Sequence, residues 1–243
     1  MSIFKAESLQ IFKIKEFRLF ILVRFFLTLA IQMQFSTIYL QVYYEYSKEE
    51  IYLGLIGLTE AIPFIITSFF SGHIADKVHK KQILSIGILL LLFGAIFLFF
   101  NSTQKPLLFK DLGLTALFSI VFLFGIIRSF LAATTNPFLS HLVPRHQFTN
   151  SATWNSTAWH TGAILGPVLA GIIYGYNNKF NASYCHFTEV FLFLISLIFL
   201  LQIKNKGLAQ IHEKKETIFD SIKLGLNFVF KNKMVLSALS LDL

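Results

Sequence analysis

The chain has 243 residues, of which 55% are hydrophobic and only 14% charged, with a formal net charge of +8 and a mean hydropathy of +0.64. Soluble proteins carry about 25% charged residues, and the 29 Phe here exceed what a soluble surface conceals. Composition therefore excludes a water-soluble globular domain and points to an integral membrane protein. The basic excess sits between apolar runs, where it sets topology rather than marking a nucleic-acid surface. Cys185 is the sole cysteine, so no intrachain disulfide forms.

Six apolar runs are predicted to cross the bilayer as helices, at approximately 17–44, 51–74, 83–100, 114–139, 151–176 and 187–203. The first run is well beyond the roughly 7–15-residue core of a signal peptide. Lipid leaves only helices or closed barrels as spanning structures, and these runs lack the period-two alternation of barrel strands. Lys13, Lys15, Arg18, Lys77, Lys80, Lys81, Arg145 and Lys204 fall on one side of the spans. Lys48, Lys105, Lys110 and Lys179 fall on the other. The more basic side is expected to be cytoplasmic, with the N-terminus inside. Residues 204–233 read as a cytoplasmic linker with an amphipathic helix at 217–230, where Ile218, Ile222, Leu226 and Phe230 share a face. A seventh apolar run begins at 234–243 and is too short to span.

Three ionisable residues within the runs are the buried-charge candidates. Arg24 lies near the inner end of the first, where it is able to snorkel or to serve a structural role. Glu60 lies mid-span in the second and is read as the one carboxylate well inside any span. Arg128 lies in the fourth. Charges at membrane depth are costly and are functional by default, so Glu60, Arg128 and Arg24 are the proton-coupling candidates. Gln32 and Ser36 of the first run, and Asn155 and Trp159 of the fifth, are candidates to line a substrate cavity. The alternative for these four is interhelical hydrogen bonding or interface anchoring. No zinc spacing, nucleophile elbow or phosphate loop is present, so neither an enzyme nor a cofactor is expected. His73 and His79 are expected to be solvated.

The hairpin at 72–81 carries Gly72, Ala75, Asp76, Lys77, Lys80 and Lys81. It resembles the loop between spans two and three of the major facilitator superfamily, with His79 replacing a Gly of the pattern. Gly72 is expected to let two helix ends approach closely, and Asp76 to fix a gate. Residues 53–64, Arg128, Leu142-Val143-Pro144-Arg145 and 238–243 look like the enterobactin exporter-like and macrolide-efflux branch. In span five, Gly162, Gly166, Pro167 and Gly171 resemble that superfamily's antiporter motif, with Ala170 in place of one Gly. The resemblance implies an all-α fold: residues 1–203 form the N-terminal six-helix half of such a transporter, 204–233 the linker between halves and 234–243 the start of span seven. It also implies a proton-coupled exporter of small amphipathic compounds such as siderophores or drugs, in a bacterial inner membrane. The partners implied are a small-molecule substrate, protons, lipid, and the C-terminal half or a second copy, with no nucleic acid. The alternative is a non-transporting fragment of a split or frameshifted gene.

Overall fold

A computed structural model describes residues 9–46, 49–103, 113–176, 181–205 and 207. The expected linker helix and the start of a seventh span lie outside the described residues. Six long helices form: α1 Lys15–Gln41, α2 Glu50–Lys77, α3 Lys80–Ser102, α4 Gly113–Ser140, α5 Phe148–Tyr174 and α6 Ala182–Gln202. All six are long and apolar enough to cross a membrane. The shortest, α6, has 21 residues; at ~1.5 Å per residue it rises roughly 32 Å, enough for a hydrocarbon core of about 30 Å. Each predicted run has become a helix. All six begin before the predicted apolar stretch, and α6 does so at a side-chain cap. Thus α6 starts at Ala182, where the Asn181 side chain accepts from the Ser183 amide at 2.8 Å.

The packing has an internal symmetry. Helix α1 packs on α5 and α6, α2 on α4, and α3 on α4 and α6. Exchanging the first three helices for the last three maps α1–α5 onto α2–α4 and α1–α6 onto α3–α4, and leaves α3–α6 unchanged. Such a pattern marks an internal repeat. A three-span unit ends on the side opposite to its start, so the two units run inverted through the membrane. The resulting arc is α2–α4–α3–α6–α1–α5. Helices α2 and α5 sit at its ends and expose apolar rows, including Leu58, Ile62, Ile65 and Phe69 on α2 and Ile164, Val168 and Ile172 on α5.

Small residues set the closest approaches, as expected where apolar contact with lipid and with protein are equivalent. A Cβ added at Gly162 would sit 3.0 Å from the Phe25 carbonyl oxygen and 3.1 Å from the Leu29 nitrogen. At Gly166 it would sit 2.7 Å from Gln32 Cβ and 2.8 Å from the Met33 nitrogen. These two glycines, one turn apart, press α5 backbone-to-backbone against α1. The other two members of the motif do not: Pro167 is exposed, and a Cβ at Gly171 would meet nothing within 4 Å. Gly72 corrects an expectation in the same way, since a Cβ there also meets nothing within 4 Å. Helices α2 and α3 touch little, so among the described residues no helix comes close enough at Gly72 to need its missing side chain.

These contacts predict a graded stability series. Gly166→Ala should lower the unfolding free energy of the detergent-solubilised chain by about 1–3 kcal/mol, the usual cost of overpacking a tight contact. Gly171→Ala should be neutral or slightly stabilising, by up to ~1 kcal/mol, because Ala is the better helix former. Denaturation followed by circular dichroism checks both; equal losses at the two positions would contradict the packing.

Candidate functional site

The two ends of the bundle differ. At the hairpin end lie the starts of α1, α3 and α5 and the ends of α2, α4 and α6. There Lys80 is buried at 1% exposure, and its Nζ donates to the carbonyls of Ala75 at 2.6 Å and Asp76 at 3.4 Å. Lys81 Nζ reaches across to the carbonyls of Leu201 at 3.0 Å and Ile203 at 2.5 Å. Both lysines therefore cap helix C-termini, α2 and α6 respectively, where carbonyls lack intrahelical partners and the macrodipole favours a cation. Asp76 lies 3.8 Å from Lys80 Nζ with its carboxylate half exposed; its partner among the described residues is this lysine rather than a helix N-terminus. The ring Nδ1 of His79 is buried with no partner among the described residues, so this partly buried ring is not freely solvated as its loop position suggests.

The segment after α6 folds beneath this hairpin. Glu16 Oε1 accepts from the amides of Lys204 at 3.2 Å and Asn205 at 3.0 Å, and the Lys80 amide donates to the Gly207 carbonyl at 3.1 Å. Gly207 has φ +61°, and a Cβ there would press on Phe138 at 2.8 Å and Lys80 at 2.9 Å. Only glycine meets both demands.

Mid-bundle, Arg128 Nη1 of α4 donates to Glu60 Oε1 of α2 in an ion pair. The sequence nominated both residues separately; the fold joins them. Gly125 makes this possible. It lies one turn before Arg128, and a Cβ there would strike the Glu60 carbonyl and come within 2.8 Å of Pro63 Cγ. One further link, Thr67 Oγ1 to Ser129 Oγ at 2.7 Å, ties the same two helices. From α1, the Phe35 ring lies 4.5 Å from the Arg128 guanidinium carbon, a cation–π contact. The pair is not sealed: the side chains of Arg128 and Glu60 keep 27% and 17% exposure.

A separate cavity of about 420 Å³ opens toward the hairpin end between α1, α4 and α5, lined among others by Arg24, Asn136, Asn155 and Trp159. Asn155 Nδ2 donates to Asn136 Oδ1 at 3.2 Å. Asn155 and Trp159 are thus where a cavity residue should be. Gln32 packs its Cβ toward Gly166, and neither Gln32 nor Ser36 lines this cavity. Arg24 belongs to the cavity and stands apart from the Glu60–Arg128 pair.

The far end holds a network that sequence reading missed. His186 and Glu189 of α6 are both fully buried, bonded through Nδ1 and Oε2 at 2.8 Å. Glu60 is therefore not the one carboxylate well inside a span. His186 Nε2 meets Gln41 Oε1 at 3.2 Å, and Gln41 Nε2 donates to Ser102 of α3 at 2.9 Å and to Glu45 at 3.1 Å. Glu45 also accepts from Tyr174 of α5 at 3.0 Å and from the Ala182 amide at 3.1 Å. A π-helical turn at Val42–Tyr46 ends α1 and presents Glu45 here; such turns recur at special sites. The spacing of His186 and Glu189, i and i+3 on one helix face, was the available signal.

Comparison with known proteins agrees with this architecture. The family model of the Major Facilitator Superfamily matches residues 20–242. The Staphyloferrin A transporter of Staphylococcus aureus is 25% identical over 155 residues, covering 59% of this chain and 36% of that protein. The Quinolone resistance protein NorA of S. aureus is 26% identical over 152 residues, covering 61% and 36%. YfiS of Bacillus subtilis, named an MFS-type transporter, is 24% identical over 190 residues, covering 77% and 42%. These matches span well under half the length of each relative.

The far-end network carries its own prediction. His186→Leu leaves Glu189 buried without its ring partner and should destabilise by about 1–3 kcal/mol or more, the penalty of an unsatisfied buried group. Adding Glu189→Leu should recover much of that loss, since removing both partners is close to neutral. A double-mutant cycle in detergent checks this; additive losses would mean the two side chains do not interact.

Proposed function

The chain belongs to the Major Facilitator Superfamily, and from that premise we propose that it acts in secondary active transport, not as an enzyme, exporting small amphipathic compounds against an inward flow of protons. The observation that carries this reading is the Glu60–Arg128 pair, an acid and a cation facing each other mid-bundle with partial access. A proton arriving on Glu60 removes its charge and weakens its hold on Arg128, which keeps its contact with the Phe35 ring. The link between α2 and α4 then loosens, which couples proton entry to a shift of one helix against another. Charged residues at this depth mark ion pathways, and their cost is tolerated only where they do work.

Export rather than uptake is supported by the Gly162 and Gly166 contact, which matches part of the antiporter motif, and by the printed name of the quinolone-resistance relative. The distribution of lysines supports a cytoplasmic side for the hairpin end and the N-terminus, and the bacterial origin of the relatives supports a bacterial cell membrane. Gly72, Asp76 and Lys77, with the capping lysines Lys80 and Lys81, form the inner gate. In this architecture substrate sites lie between two six-helix halves. The described helices form one wall, and the exposed apolar rows of α2 and α5 are the surfaces that meet the other half or a second copy.

In inside-out vesicles energised by a proton gradient, with both halves present, Glu60→Gln and Arg128→Ala should each lower the initial efflux rate of responsive amphipathic dyes by about tenfold or more. Membrane insertion should remain normal. Full gradient-driven efflux in both variants would refute the coupling role.

A further inference from the structure

We propose that the cavity between α1, α4 and α5 is an entry site for an amphipathic organic anion, with Arg24 as the counter-ion of its carboxylate. The proposal deepens the transporter reading and rests on it. Among the described residues, Arg24 is the one charged residue on the cavity wall. Among the described residues it joins no ion pair, and its Nε is buried without an acceptor. Arg128 shows what the same side chain does elsewhere in this bundle: it takes a carboxylate of its own chain. Arg24 has none, and a guanidinium held inside an apolar bundle without an anion is costly.

The remaining wall fits the same occupant. The first turn of α5 contributes Phe148, Ser151 and Ala152. That turn carries no acidic residue, and its N-cap Gln147 makes no side-chain cap bond, so the positive end of a 27-residue helix borders the cavity with no carboxylate of its own turn. Phe148, Leu139 and Trp159 offer apolar surface opposite the cation. The volume, about 420 Å³, falls in the roughly 300–1,000 Å³ range of small-molecule sites.

A lipid phosphate has the same charge, but it sits at the interface. Arg24 lies about 10 Å inside the apolar run, counting ~1.5 Å per residue from its start. That depth favours a solute that enters whole over a headgroup anchored at the surface.

Trp159 lines the cavity, and the only other tryptophan, Trp154, packs on Phe12 at 4.9 Å. A Trp154→Phe chain therefore reports on the cavity through Trp159 alone. The full chain in phosphatidylcholine nanodiscs is titrated with 4-nitrobenzoate, an aromatic carboxylate that quenches tryptophan, and with uncharged 4-nitrobenzyl alcohol. The carboxylate should quench saturably and the alcohol only linearly. Arg24→Gln should weaken the saturable phase by about tenfold or more, the loss expected with one charge-assisted contact, and Arg24→Lys should restore part of it. If Arg24→Gln fails to fold, Asn155→Asp carries the test: a carboxylate on the wall should repel the probe and weaken it likewise. Saturable quenching that is equal for the alcohol, absent, or indifferent to these substitutions overturns the proposal. So does displacement of the probe by added phosphatidylglycerol, which assigns the site to lipid. Binding is read without transport, so lost efflux with intact quenching strikes the Glu60–Arg128 reading alone.

Discussion

In hydrocarbon a charged side chain must find its partner inside the protein, because no water is present to replace one. The Glu60–Arg128 pair is where this constraint shapes the bundle most directly. Joining the two side chains requires α2 and α4 to run at backbone contact, and Gly125 one turn before Arg128 is the residue that permits it. The Thr67–Ser129 bond continues the same seam. By the internal symmetry, α1 and α5 form the corresponding seam of the other repeat, closed by Gly162 and Gly166 instead of an ion pair.

Polar groups elsewhere obey the same rule in two different ways. At the hairpin end, Lys80 and Lys81 donate to carbonyls at helix C-termini, so loop cations also finish the helices. At the far end, Gln41, Glu45, His186 and Glu189 bond to one another and bind α1, α3, α5 and α6 together, although Glu189 Oε1 has no partner among the described residues. Between these ends the Arg24 cavity is the place where a cation is left over. The contrast with Arg128, which is paired within the chain, is what the proposed anion site rests on.

Much of the architecture was legible in the sequence, since apolar length alone locates spans and loop lysines separate the two ends. The hairpin at 72–81 was visible as a pattern, yet its physics differed: the glycine meets no neighbour, and the lysines do the bonding. Half of the span-five motif was legible as contact, at Gly162 and Gly166. Pro167 and Gly171 point elsewhere, because a helix has several faces and a linear motif does not say which one is used. Glu60 and Arg128 were each evident as buried charges, but pairing depends on how α2 and α4 cross, which spacing along one chain does not encode. Glu189 escaped notice because α6 begins several residues before its apolar run, at a cap set by Asn181. Gln32 and Ser36 share a helix with Arg24 and were grouped with the cavity by polarity; the rotation of α1 against α5 turns Gln32 onto Gly166 instead.

The central claim is that Glu60 and Arg128 hold each other across α2 and α4. Reversing the charges tests it most directly. Glu60→Arg and Arg128→Glu should each destabilise the chain in detergent, because each places two like charges at contact. Combining them restores opposite charges, and the double variant should regain most of the lost stability, with a coupling energy of about 1–3 kcal/mol. A double variant whose loss equals the sum of the single losses would contradict the pairing, and with it the seam around which the bundle is built.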